Sequence, residues 1–338
     1  MPEQEQTPVD FDLARQAAGL TLGSLFALCV RTGPNRMALQ QGARSFTYAE
    51  LDERSNRLCH ALSARGIRRG DRVAVLSQNC SEYVEILIAA AKLGVIAACQ
   101  NWRLSDKELR HCLTLVSPRL ILVSERHAGI AARYADVAPS LTFGADYEAA
   151  LADASSAAVP DECDPEDGLV ILYTSGTTGL PKGALISQRA EIARAQNQMI
   201  DLPNTRDEHF VAWAPLFHMV STDTVYMTLI QGGKVIVTDG FDAPALAEIA
   251  VRERLGRFTL MPGMIAPFLD AVRALGRPVA GMRWVGVMAD LVPREQIAEV
   301  TRLVGAPYAN TFGSTETGLP PATRHTIAVG EVPTSLDK

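Results

Sequence analysis

The feature that narrows the fold most is a repeated alternation of short apolar runs with amphipathic stretches. Arg72-Val73-Ala74-Val75-Leu76 reads as a buried strand. SEYVEILIAAAKLG follows, a helix that Ser81 can cap and Gly94 can end. Next come the strand VIAAC, the helix SDKELRHCLTLV with Ser105 and Glu108 as a capping box, and the strand RLILVS. Parallel neighbours need a long crossover, and a helix is the usual one. The rhythm therefore predicts an α/β chain, with mostly parallel sheets covered by helices.

Residues 152–168, ADASSAAVPDECDPEDG, interrupt it with a small, acidic, proline-bearing connection. It reads equally as a surface loop within one domain or as a linker. The division taken here is a first subdomain over 1–160 and a second over 161–338. Beyond it, GLVILYTSG is predicted as a strand and SQRAEIARAQNQM as a helix. FVAWAP and KVIVTD are strands around a helix from about Thr222 to Ile230. RFTLM, RWVGVMA and PYANTFG are further strands, with helices near 263–275 and 293–303. Ligands of open α/β sheets bind beyond the carboxyl ends of strands. The polar ends of these strands are where chemistry is to be sought.

Composition removes several classes. The formal net charge is -6 with both signs mixed along the chain. No basic stripe suits nucleic acid, and no Lys/Arg cluster suits a membrane surface. No apolar run approaches the roughly 18 residues of a spanning helix. The start, MPEQEQTPVDFD, is acidic and polar, unlike a secretory signal. Cys29, Cys59, Cys80, Cys99, Cys112 and Cys163 include no CxxC and no zinc spacing with histidine. Reduced core thiols are expected, which fits the cytoplasm.

One strand end differs from the rest. Gly168-Leu169-Val170-Ile171-Leu172 runs directly into YTSGTTGLPKGA. That stretch sets Thr174, Ser175, Thr177 and Thr178 among Gly176, Gly179 and Gly183, with a single lysine, Lys182. Glycines let a backbone take positive φ and approach a ligand closely. Successive N–H groups and hydroxyls can then converge on one anion, and a lysine adds a point charge suited to phosphate. On composition alone the stretch also fits a solvated Gly/Thr turn. It is not the Walker loop, because Pro181 precedes Lys182 and Gly183 follows it. No GxGxxG argues for a dinucleotide fold, and no GxSxG argues for an α/β-hydrolase.

TSGTTGLPKG closely resembles, without a gap, the phosphate-binding loop of the adenylate-forming superfamily of acyl-CoA synthetases, adenylation domains and luciferases. Other stretches resemble that family in its own order. They are FTYAELDERSNRLCHALSARGIRRGDRVAV at 46–75, AKLGVIAACQNWRLSDKEL at 91–109, APLFHMV at 214–220 and YANTFGSTETG at 308–318. The resemblance covers about residue 20 to the end. It implies the stacked, mostly parallel sheets of the N-terminal domain of acyl-CoA synthetases. It also implies a two-step reaction. A carboxylate attacks the α-phosphate of ATP, and a thiol, usually that of coenzyme A, then takes the acyl group.

Through the same resemblance, Thr174, Ser175, Gly176, Thr177, Thr178, Gly179 and Lys182 would hold the terminal phosphates. Thr315 would bond the α-phosphate and Glu316 would ligate Mg2+, although alone the two read as a polar surface pair. Phe312 would pack near the adenine, with Asn310 on the same edge. Met288, Ala289, Thr311 and Gly313 would also line the nucleotide. His218 would sit where carboxylate and adenylate meet. Amino-acid-activating relatives carry an aspartate just after the phenylalanine. Here His218 follows Phe217, which favours an acid without an α-amino group, and Asp223 reads as a helix-start residue. Asn101-Trp102-Arg103-Leu104 also looks like acyl-CoA synthetases.

Two departures stand out. Val287 and Met288 bring bulk where relatives often have glycine, which either reshapes the acyl pocket or is a neutral variation. The family's ribose-binding aspartate and its adenylation-promoting lysine have no counterpart here, so a shortened chain with little or no activity of its own is expected. The partners implied are a small carboxylic acid, ATP, Mg2+ and coenzyme A, with neither nucleic acid nor membrane, and a homodimer is compatible. The alternatives are a non-catalytic module that binds nucleotide or acyl-adenylate, and an adenylate-forming enzyme of luciferase or acyl-AMP ligase type.

Overall fold

The computed structural model of the chain describes residues 19–174, 179–320 and 325–336. Its first part runs α1 (Leu22–Thr32), β1 (Met37–Gln41), β2 (Arg44–Thr47), α2 (Tyr48–Ala64), β3 (Arg72–Leu76), α3 (Ser81–Leu93) and β4 (Ile96–Cys99). Next are α4 (Asp106–Val116), β5 (Leu120–Val123), the single turn α5 (Ala128–Ala131), β6 (Ser140–Thr142) and α6 (Ala145–Ala152). After the acidic connection come β7 (Gly168–Thr174), β8 (Lys182–Ser187), α7 (Gln188–Asp201), β9 (Phe210–Ala212), α8 (Met219–Ile230) and β10 (Val235–Val237). The chain continues with α9 (Ala243–Arg252), β11 (Leu255–Phe258), α10 (Ile265–Leu275), β12 (Met282–Val285), α11 (Arg294–Val304), β13 (Tyr308–Asn310) and β14 (His325–Ile327).

Among the described residues the strands form three sheets, in the orders β6-β5-β3-β4-β7-β8, β2-β1-β10-β9 and β11-β12-β13-β14. Every pairing is parallel except β1–β2, β7–β8 and β13–β14. This is the α/β architecture that the alternation predicts. Strands from both sides of 152–168 share sheets, because β4 pairs with β7 and β1 pairs with β10. No helix among the described residues is long and apolar enough to cross a membrane.

Helix α3 is buried from Ser81 to Ala91; its two acidic side chains go in with partners, Glu82 with Arg44 and Glu85 with Arg54, each at 2.7 Å. It lies in the larger core, which joins β3, β4 and β7 to β1, β9 and β10 through α1, α2 and α8. A second core packs α9, α10 and α11 against β9, β10 and the β11–β14 sheet, with Phe258, Phe268, Leu269, Ile297 and Tyr308 in it.

Several helix ends follow local chemistry. Ser105 and Glu108 form the expected capping box, and Gly94 ends α3 with φ 68. Ser81 does not cap α3. It is already helical, and its N–H donates to the Gln41 side chain at 2.8 Å, so a distant residue does the capping. Helix α8 starts at Met219 rather than near Thr222, because His218 is its N-cap. Lys182–Ser187 is an antiparallel strand that the apolar pattern does not announce.

Candidate active site

The loops leaving β9, β11, β12 and β13 converge on one cavity of about 340 Å3. Its wall is Met219, Val220, Met261, Val287, Met288, Phe312 and Leu319. Its polar lining includes Gln198, His218, Asp223, Thr224, Arg257 and Thr311. Position beyond the carboxyl ends of parallel strands agrees with the general rule for open α/β sheets.

The loop after β9 is held from inside by Asn79, which is buried. Its amide donates to the carbonyls of Ala212, Trp213 and Ala214 at 3.0, 3.2 and 2.8 Å. Its oxygen accepts from Leu216 N at 2.8 Å. Ser221 and Thr222 of α8 donate back to Ala214 O and Leu216 O, each at 2.7 Å. These bonds fix where α8 begins and deliver His218 to the cavity rim. There Nδ1 accepts from Val220 N at 3.3 Å, which leaves Nε2 to carry the proton. The ring touches solvent, yet packing around it desolvates the charged form and lowers its pKa below 6.5.

After β12 the chain turns sharply. Gly286 has φ +83, and a Cβ there would lie 2.1 Å from the Tyr308 ring, so only glycine fits. Tyr308 donates to Val287 O at 2.8 Å. Met288 then takes a left-handed conformation, φ 50, which is costly for a side-chain-bearing residue. Ala289 N donates to Asn310 Oδ1 at 3.0 Å, locking this turn to the end of β13. Val287 and Met288 thus fill part of the cavity wall, and the bulk noted in the sequence faces the ligand space.

Beneath the rim lies a buried group of charges. Arg194 of α7 pairs with Asp223 of α8 at 3.3 Å and donates to Thr315 O at 2.7 Å. Burial pushes the Asp223 carboxyl up to about 6, with Arg194 and Arg257 opposing. Glu191 is wholly buried, and neither of its carboxylate oxygens has a hydrogen-bond partner among the described residues. Burial, then Asp223, raises its pKa well above the ordinary range, and Arg194 opposes this. Arg257 of β11 is also buried, which lowers its pKa to about 10. Asp223 was expected to begin a helix. It lies instead inside α8, with its side chain 1% exposed and already ion-paired.

His218, Met288, Thr311, Phe312 and Gly313 meet at the cavity, and Ala289 and Asn310 brace it. Thr315 and Glu316 sit on the turn after β13, tied back through Arg194. Glu316 is exposed, and its carboxylate makes no hydrogen bond or ion pair among the described residues. Thr174 and Lys182 lie elsewhere, opposite one another at the mouth of the β7–β8 hairpin. Lys182 is exposed, and Gly179 has φ +101 beside it. Ser175, Gly176, Thr177 and Thr178 lie outside the described residues. No hydrogen bond or ion pair among the described residues links the hairpin mouth to the cavity. Sequence reasoning passed over Asn79, Glu191, Arg194 and Arg257, whose partners are distant in the chain. No local signal marks them.

Stacked, mostly parallel sheets with a cavity beyond the strand ends define an open α/β fold of the ligand-binding kind. The chain belongs to the AMP-binding enzyme family, whose model matches residues 26–334. It is 33% identical over 297 residues to an indoleacetate–CoA ligase of Aromatoleum aromaticum, covering 84% of this chain and 58% of that protein. It is 34% identical over 235 residues to a feruloyl-CoA synthase of an Amycolatopsis species, covering 69% of this chain and 47% of that protein. The chain thus spans about half the length of these relatives. Its fold is similar to the N-terminal domain of FACL13 from Mycobacterium tuberculosis, with TM-score 0.82 at 23% identity over 88% of this chain and 77% of that one.

Proposed function

We propose that the chain serves the ATP-dependent activation of a non-amino carboxylic acid to an acyl-adenylate, with coenzyme A as the acyl acceptor. The observation that carries this reading is the cavity that unites His218, Met288, Thr311, Phe312 and Gly313 at the strand ends. The names of the two relatives, an indoleacetate–CoA ligase and a feruloyl-CoA synthase, support it. Asp223 lines the cavity but is neutralised by Arg194, with Arg257 nearby, so the floor offers little to a substrate ammonium. The setting proposed is the cytoplasm, which the unpaired cysteines support.

In this reading Thr174, Gly179 and Lys182, with Ser175 to Thr178, receive the terminal phosphates. Lys182 supplies positive charge where two anions must meet. Thr315 and Phe312 hold the nucleotide near the rim. His218, uncharged, offers Nε2–H to the carboxylate and keeps it oriented. Glu316 suits Mg2+, since an exposed, unpartnered carboxylate is an oxygen ligand for a hard ion that keeps water and phosphate in its shell. The described residues contain no cluster of three His, Cys, Asp or Glu that could hold a metal, so the ion would be shared with the nucleotide. When bound, it offsets phosphate charge.

The test is acid-dependent pyrophosphate release, run beside calorimetric titration of ATP with and without Mg2+. Lys182→Ala is expected to weaken ATP binding about tenfold with the melting temperature unchanged, because an exposed lysine contributes little to a core. Glu316→Gln is expected to remove most of the Mg2+ dependence. An undiminished Mg2+ effect in that variant would take Glu316 out of the site. Nucleotide binding without acid-dependent turnover would favour a binding module.

A further inference from the structure

The cavity floor is unlike a pocket for a simple apolar tail. Gln198, Asp223, Thr224, Arg257 and Thr311 are all buried, while His218, Phe312 and Gly313 form an exposed rim. Among the floor residues Arg257 is the least satisfied. It is 6% exposed and makes no ion pair among the described residues. Its Nη1 reaches Gln198 Oε1 and its Nη2 reaches Thr311 Oγ1, each at 3.4 Å, the long limit of a hydrogen bond. Its Nε has no hydrogen-bond partner among the described residues. The carboxylate whose charge it feels, Asp223, already accepts on both of its oxygens from Nη1 of Arg194, at 3.4 and 3.3 Å. A guanidinium carries donors on all its nitrogens and does not give up its charge at neutral pH. A buried cation without a close anion is costly unless something supplies one.

We propose that the acid activated in this cavity carries, away from its reacting carboxylate, an oxygen acceptor that Arg257 receives. That acceptor is a second carboxylate or a ring oxygen, meaning a phenolic oxygen borne on an aromatic ring. The inference rests on the acid-activation reading above and names the substrate class of that site. An apolar tail leaves Arg257 unsatisfied, and an ammonium is repelled by it. An oxygen acceptor completes the guanidinium, and Gln198 and Thr311 set the distance at which it can sit. The wall of Met219, Met261, Val287 and Met288 takes the body of the acid between the two ends.

The test is calorimetric binding of matched acids to this chain with AMP present. The pairs are butanoate with succinate, and benzoate with 4-hydroxybenzoate and terephthalate. The acceptor-bearing member of at least one pair should bind about ten- to a hundredfold more tightly, the range of one hydrogen bond to a charged group. The pair that shows it tells carboxylate from ring oxygen. Arg257→Met should bring that ratio close to one, and Arg257→Lys should restore part of it. A purely structural Arg257 would lower both affinities together. Equal binding within every pair overturns the inference and leaves acid activation standing. Failure of every acid and of ATP to bind overturns both.

Discussion

His218 shows how one side chain is set for its task by its surroundings. Burial disfavours the imidazolium, so the folded pKa lies below 6.5. Between the two values the unfolded chain binds a proton that the folded chain refuses. The ring's contribution to stability is therefore complete above pH 6.5 and lost as pH falls through the lowered folded value. Its hydrogen bond from Val220 N requires the same neutral form. An NMR titration of the ring should give a midpoint below 6.5. His218→Ala should weaken acid binding about tenfold, the worth of one neutral hydrogen bond and its orientation, with a smaller effect on ATP. A large fall in melting temperature with equal loss of both ligands would mark a structural histidine instead.

The loop between β9 and α8 owes its shape to Asn79, which belongs to the segment between β3 and α3. Asn79→Ala would strand three carbonyls and one N–H in the interior. A loss of about 2–4 kcal/mol in urea unfolding is expected. Loss below 1 kcal/mol would mean that water replaces the amide. The same contrast explains what the sequence could disclose. The Ser105–Glu108 box and Gly94 were legible because each acts within one turn of its own helix. The strand cores were legible because buried parallel strands are apolar throughout. That His218, Met288 and Thr311 to Gly313 gather at one cavity could be expected only through the resemblance of the strings around them. Asn79 was hidden because its partners lie 133 to 137 residues away. Asp223 was misjudged because His218, not a more distant acidic residue, caps α8. Arg257, in a short strand, gives no local sign that its head is buried.

Across the whole molecule, the buried charges sit where α7, α8 and β11 come together. Glu191 there has a raised folded pKa, so its contribution to stability is complete below 4.5 and lost as pH rises through the raised value. Glu191→Gln keeps the shape and cannot ionise. Calorimetric melting should find variant and wild type close near pH 4.5. The variant should melt a few degrees higher at pH 8, since about 1 kcal/mol moves the midpoint by a few degrees in a domain of this kind. Parallel melting curves across that range would show that Glu191 finds a partner in solution. Arg194 has a wider consequence. One guanidinium grips both the carbonyl of Thr315 and the carboxylate of Asp223. The turn bearing Glu316 and the helix lining the cavity are therefore tied together through one side chain. If acid alters the affinity for nucleotide through this cross-piece, nucleotide must alter the affinity for acid by the same factor, since the four liganded states close a thermodynamic cycle.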